Sequence, residues 1–530
     1  MFESEISILS TPFMILFSLF LRISLKEENE ENYSEKIIDL NNCSDINVLK
    51  IEKIHILDNV ITNNENVEEL FCLLNNVMKK NCSIIGNNQT VVISKELRID
   101  EISMDHSVIS ISNLFFSFKK TFLFNISFSL VQLCNITTNG VSPTFISVFS
   151  NISWHNSLFS SFLINDTPLF DLKNSNIKLS SSTFIALTQS PKSSISLFNI
   201  NLSHLHSIET NFISNFFVHE MILLFESTAH FSKCLFSKNG GPSSIITLRD
   251  SSIRINSSHF IDNSCQILLS HNSTMIFNQL SCERNCSPDP ILSFFDNSFM
   301  KMSQSNFSNN GCGSLIFSKD SNFEISSVFI IGFLSSKTMI ALEKSLMEIN
   351  NCQLINISTS YSPNLYLFSS KCNIDNTVIR NCFSREIGVV LRTVYSMTNI
   401  NNTLMENTNL KAGQSSVYME SCLSDSRLEN SRFYSSNISD GSTLVLNNCT
   451  MLVSHCEFNR VIDIEIPYNP QMRVNMCKFP SKIIHNTNID TKPLNFWPYA
   501  FVSVLLFSLV IMCGKRSLFF HRKLCPKLHE

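Results

Sequence analysis

Glycine is scarce in this 530-residue chain, at 11 residues. A backbone that needs left-handed corners must therefore place other residues there, and Asn tolerates that conformation better than most. Charge is also scarce: Asp, Glu, Lys and Arg make up 16% of the chain, against the usual quarter. The net charge of −4 shows no basic excess and excludes the electrostatic footprint of a nucleic-acid-binding protein. No P-loop, dinucleotide fingerprint or nucleophile elbow occurs, so nucleotide-dependent and α/β-hydrolase chemistry have no motif to rest on. The one close cysteine pair, Cys282 and Cys286 in "CERNC", lacks the second pair and the histidines of a zinc site. No metal or cofactor site is expected.

What is abundant is Phe, at 44 residues, with Ser and Asn. From about Leu114 to Glu465 these residues recur in one phrase roughly every 22–27 residues. "ILLFESTAHFSKCLFSKNGGPSS" begins at Ile222 and "IITLRDSSIRINSSHFIDNSCQ" at Ile245. "ILSFFDNSFMKMSQSNFSNNGCGS" begins at Ile291 and "TLVLNNCTMLVSHCEFNRVIDIE" at Thr443. Apolar residues alternate at period two in runs of three to five, which is strand periodicity. Ser, Asn, Asp and Gly between the runs mark tight turns. Three short strands and three turns fill one unit, and such a coil buries its inward face only by stacking on neighbours. The expected fold is all-β, a right-handed parallel β-helix of about 14 coils, on the order of 65–70 Å long at roughly 4.8 Å per coil. Leucine-rich repeats would need a helical segment per unit, and propeller blades are longer. Phe, Ile and Leu should fill the core, with Ser, Thr and Asn forming ladders at the turns.

The ends read differently. Phe13–Leu21 has the length of a signal-peptide core, with Glu3 and Glu5 where a basic segment is usual. A start at Met14 would give a shorter, cleaner signal, and residues 1–25 are assigned to it. Residues 26–110 hold the acidic "EENEENYSEK" and a cap with the first coils. Within it Glu65–Lys80 carries Val67, Leu70, Phe71, Leu74 and Val77 at helical spacing, which predicts a short helix over the open end of the sheet. Residues 111–465 are the repeats. Residues 466–495, with four prolines, form a closing cap and linker. Residues 496–513 are uncharged and predict one transmembrane helix. Trp497 and Tyr499 sit at its outer interface. Lys515 and Arg516 begin the basic tail, 514–530, and point it to the cytosol. The expected topology is a type I single-pass protein of the plasma membrane or cell surface, with its N-terminal region outside.

About 17 Asn-X-Ser/Thr sites fit that placement, among them Asn42, Asn81, Asn125, Asn151, Asn201, Asn256, Asn306, Asn356 and Asn437. A chain this rich in Asn and Ser gives about a dozen by chance, and several sites fall in stacked turns where no glycan fits. Of the 18 cysteines, 16 precede the predicted span and would face an oxidising compartment. Cys286 and Cys312 fall near the ends of successive coils and are the expected bridge. Cys422 and Cys449 fall seven residues into successive coils and are expected to stack. Others serve as small, half-apolar filler.

β-Helix enzymes need carboxylates gathered on one face, with calcium or an arginine at hand. Here Asp250, Asp289, Asp320, Glu343, Asp463 and Glu465 are scattered in sequence, and Asp262 and Asp296 fall at different offsets. His204, His206 and His230 read as unclustered. No catalytic residue is assigned.

The coil ends "FSKNGGPSSI" (Phe236–Ile245), "FSNNGCGSLI" (Phe307–Ile316) and "FIDN" (Phe260–Asn263) resemble the FxxN and GGA-type repeats of the chlamydial polymorphic outer-membrane proteins. Related repeats occur in surface proteins of parasitic protists. The likeness spans 114–465, with no intact GGA, and the chain departs in ending on one predicted helix rather than a barrel. The resemblance implies adhesion or surface display through an extracellular protein or glycan ligand, and carries over no individual functional residue. The rival reading is a membrane-tethered polysaccharide lyase or glycoside hydrolase of the pectate-lyase-like fold. Phe115, Phe116, Phe216 and Phe217 exceed one-face alternation and read as core filling, a protruding loop or a sticky patch.

Overall fold

The computed structural model describes residues 101–478, apart from 165–166, 192–194, 361, 385–388, 407–416, 435–443, 459–463 and 469–470, with the backbone of six paired strands before residue 101. The chain divides into two compact units, Met1–His485 and Asn486–Glu530. The second unit, with the expected span, Trp497, Tyr499, Lys515 and Arg516, lies outside the described residues, as do the helix expected at 65–80 and Asn42, Asn81 and Asn437. Among the described residues every regular element is a strand, and no helix is long and apolar enough to cross a membrane.

One coil shows how the phrase folds. Its strands are Ile222–Phe225, Thr228–Ser232 and Leu235–Ser237. Ile222, Leu224, Ala229, Phe231 and Phe236 point inward and are buried. Two-residue corners join the strands. The first residue of each has positive φ, at Glu226 (47°), Lys233 (53°) and Lys238 (56°). The second residue, Ser227, Cys234 or Asn239, is buried. A single left-handed residue thus turns the chain and aims the next side chain at the core. Among the described residues Asn holds 14 of the 41 non-glycine positive-φ positions; Ser, Lys, Glu, Leu and Phe hold many of the others. Asn is thus the commonest residue at these corners, as its tolerance of the left-handed conformation leads one to expect.

Coils stack in parallel register. First strands form a 16-stranded sheet from Glu101–Asp105 to Ile464–Tyr468, and second and third strands join a 36-stranded sheet whose last rung is Gln471–Asn475. The result is an all-β parallel β-helix of the right-handed type, of about 14 turns. Five coils, from Cys286–Ser287 to Phe383–Ser384, add a fourth two-residue strand. Those coils are four-sided where the sequence pattern predicts three sides, because a two-residue strand is too short to show alternation.

Three internal ladders hold the stack. At the first corner, fourteen serines from Ser107 to Ser424 succeed one another. Each backbone N–H donates to the Oγ of the next serine, thirteen times in all, at 3.0–3.2 Å. The hydroxyl donates back to a carbonyl two residues earlier, as from Ser251 to Arg249 at 2.7 Å. A buried corner N–H has no sheet partner, and this arrangement satisfies it. At the third corner Asn215, Asn239, Asn263, Asn285 and Asn310 form an amide ladder, each 0–2% exposed. On the adjoining strand Phe159, Phe184, Phe212, Phe236 and Phe260 stack with ring centroids 4.5–5.1 Å apart. The Phe and Asn of the FxxN phrase are thus one rung of each column. After Asn239, Gly241 has φ +154°, and a Cβ there would lie 1.9 Å from the Phe217 carbonyl oxygen.

Candidate functional site

The second strands offer the widest outward surface, three side chains per coil at alternate positions. Strand pairing sets what stacks there. Lys301 faces Glu324, and elsewhere Lys319 faces Glu343, Arg380 faces Glu406, Arg392 faces Glu420 and Arg432 faces Glu457. All five close as ion pairs, from 2.8 to 3.7 Å. Opposite charges in adjoining rungs are the rule, as cross-strand energetics favour.

One stretch of four rungs carries only basic side chains at its centre. At the central outward position Lys178, His206, His230 and Arg254 follow one another on four successive coils. No carboxylate pairs with any of them among the described residues. The rings of His206 and His230 stack at 4.9 Å, 14° from parallel. Burial, and then the Lys178 ammonium, holds His206 below the usual imidazole value. Burial, then His206 and Arg254, does the same for His230. The Asn256 amide nitrogen lies 3.1 Å from His230 Nε2, and it donates when that nitrogen is unprotonated. Both rings are therefore neutral near pH 7 and stand ready to add charge between two fixed cations. Neutral polar side chains flank them: Asn176, Thr228 and Ser252 on one side, Ser180, Ser232 and Asn256 on the other.

This corrects the reading of His204, His206 and His230 as unclustered. His204 shares the outward side of His206's strand, and register brings His230 onto His206. The steps between column members are 28, 24 and 24 residues. Insertions in the corners hide the alignment from a fixed period.

Register also brings Glu324 and Glu348 opposite one another on adjoining coils, with Lys301 paired to Glu324. Asp262 and Asp296 stay apart: Asp262 lies in a third corner, held by Arg284 at 2.7 Å, and Asp296 in a first corner, 2.8 Å from His271. Among the described residues no three His, Cys, Asp or Glu side chains gather as a metal site.

The remaining sequence candidates fall as follows. Asn151, Asn306 and Asn356 are exposed, whereas Asn125, Asn201 and Asn256 are partly buried and the sequon residue Asn285 is wholly buried in the amide ladder. Cys286 is disulfide-bonded. Cys312 lies on the adjoining rung, one position diagonal to Cys286, since Cys286 pairs with Gly311 and Ser287 with Cys312. Cys422 does not stack on Cys449: Asn447 faces it, because the two coils enter their first strands at different offsets. Phe116 and Phe217 are core, while Phe216 is 50% exposed. The larger exposed aromatic feature is elsewhere, where His106, Phe128 and Phe149 stack at 4.9 and 5.3 Å along the first corner. Its members occupy a corner position that the alternation does not mark.

No family model and no curated protein matches the chain. Among solved structures, tailspike protein 3 of bacteriophage CBA120 is 9% identical over 88% of this chain and 67% of its own, with a TM-score of 0.27. The A-modules of the Azotobacter vinelandii mannuronan C-5 epimerases AlgE6 and AlgE4 are 7% and 9% identical, cover 76% and 74% of this chain and 91% and 90% of their own, and give TM-scores of 0.22 and 0.20. Such scores transfer no residue and no activity.

Proposed function

We propose that this chain is a cell-surface β-helix scaffold acting in adhesion or surface display. In this reading residues 496–513 anchor it, the coils stand outside the cytosol, and the outward face of the second strands meets an extracellular protein or glycan. The observation that supports it is the unpaired column Lys178, His206, His230 and Arg254. Lys178 and Arg254 carry charge that no carboxylate among the described residues closes, whereas Lys301, Lys319, Arg380, Arg392 and Arg432 are each closed by a glutamate, so this column is left free to meet an anionic partner. Beads coated with the full chain should adhere to cells or matrix above beads coated with its unfolded form. Equal adhesion by both would overturn the reading.

A second reading rests on Glu324 and Glu348. Two carboxylates on adjoining rungs fit general acid–base work on a glycosidic bond. It predicts that Glu324→Gln and Glu348→Gln each abolish release of reducing ends from a polysaccharide substrate. Lack of such release by the unaltered chain across neutral and acidic polysaccharides would end it.

A further inference from the structure

We infer that the Lys178–His206–His230–Arg254 column is a binding site for a linear acidic polysaccharide, laid along the rod axis and gripped more tightly as pH falls. This deepens the adhesion reading and rests on it.

Four basic side chains project from one column at rungs ~4.8 Å apart, so they span about 14 Å in a straight line. A ligand with one anionic group every sugar or two, held extended, meets such a row without bending. A globular protein would need an apolar centre to its contact. The outward positions of these four strands carry instead only Ile208 as a large apolar side chain, with Asn, Ser, Thr and His204 around it. Neutral amides and hydroxyls suit sugar hydroxyls. A single-stranded nucleic acid would call for exposed aromatic rings on which bases stack, and the outward positions of these four strands have only imidazoles. The charge pattern and the polar flank therefore favour the acidic polysaccharide.

The charge is adjustable. At pH 7.5 the column presents two fixed cations separated by two neutral rings. Protonation of His206 and His230 makes four contiguous cations. The surrounding charged and titratable groups are His204 on the same strand, Glu226 and Asp250 at the first corner, and Glu209 at the second, where Lys233 holds it at 3.2 Å. Asp250 accepts from Asn272 at 2.6 Å. None of these carboxylates pairs with the column. A polyanion would raise both imidazole values toward the cation and so bind protons as it binds the protein.

The test uses the full chain in detergent, with oligogalacturonate as probe and dextran of equal size as neutral control. Binding is measured at pH 7.5 and 5.5 and at two salt concentrations. Oligogalacturonate should bind roughly tenfold or more tightly at pH 5.5, from two added charges near an anionic chain, and dextran should not bind. His206→Gln with His230→Gln should remove the pH dependence of binding. Lys178→Gln with Arg254→Gln should weaken binding at both pH values, while circular dichroism stays unchanged. Binding no tighter than dextran, a pH dependence that survives in the double histidine variant, or preferential binding of single-stranded DNA or anionic phospholipid vesicles would each overturn the proposal. Bead adhesion that persists in the absence of oligogalacturonate binding would overturn this assignment and leave the adhesion reading standing.

Discussion

Replacing Asn263 with alanine removes four buried side-chain hydrogen bonds from the middle of the amide ladder. Oδ1 of Asn263 accepts from the backbone N–H of Asn239 at 2.9 Å and from its Nδ2 at 3.1 Å. Nδ2 of Asn263 donates to the Phe236 carbonyl at 3.0 Å and to Asn285 Oδ1 at 2.8 Å. Alanine leaves the Asn239 N–H with no acceptor in a place water does not reach. An orphaned buried donor costs about 1–3 kcal/mol, and the three other lost bonds about 1 kcal/mol each, so the expected loss is about 4–6 kcal/mol. The amide of Asn239 should report it directly, since hydrogen exchange there should quicken on the order of 100-fold or more. The ladder's last rung supplies an internal comparison. Asn310 makes three such bonds, accepting two from Asn285 and donating one to the Cys282 carbonyl, so Asn310→Ala should cost less. Asn263→Asp keeps the acceptor half and loses the donor half, and its buried carboxylate should make the variant weaken as pH rises. A loss under about 1 kcal/mol with unchanged protection of the Asn239 amide would refute the claim that the ladder holds this side of the stack.

Other outcomes follow from the same physics. Burial pushes the Cys265 and Cys382 thiols up to about 12 and Cys456 up to about 11, so native protein at pH 8 should resist alkylation at all three until it is unfolded; labelling at the rate of a free thiol would refute it. Gly241→Ala should destabilise by about 2 kcal/mol or more, because the new methyl meets a carbonyl and the residue is held at positive φ; chemical unfolding at unchanged midpoint would count against this. His206 and His230 have folded values below their unfolded ones, so their contribution is complete above pH 6.5 and falls away as pH drops through the folded values; the double glutamine variant should flatten that part of the stability profile. Arg380→Glu, which sets two carboxylates opposite one another at Glu406, should cost about 1 kcal/mol and lose most of that cost in 1 M salt, and a salt-independent change would show that packing rather than charge was altered.

Much of this was written in local pattern. Alternation of Ile, Leu and Phe with polar residues required strands, and the recurrence of the phrase required that the strands stack. Phe236 and Asn239, three apart, recur in Phe260 and Asn263 because each coil must supply one ring and one amide to the same two columns. Those facts need only near neighbours along the chain, and the sequence by itself determines them. Which residues from different coils touch is another matter. Lys178 and His206 are 28 residues apart while His206 and His230 are 24 apart, yet both pairs are in register. The extra residues are absorbed at a corner, and only the hydrogen-bonded ladder decides where the count restarts. The cationic column, the Glu324–Glu348 pair, the ion pairs and the neighbour of Cys422 all depend on that decision. Strand register is a through-space property, set by the pairing of buried faces, and the three-dimensional stack alone brought these four basic side chains into the column now proposed to bind.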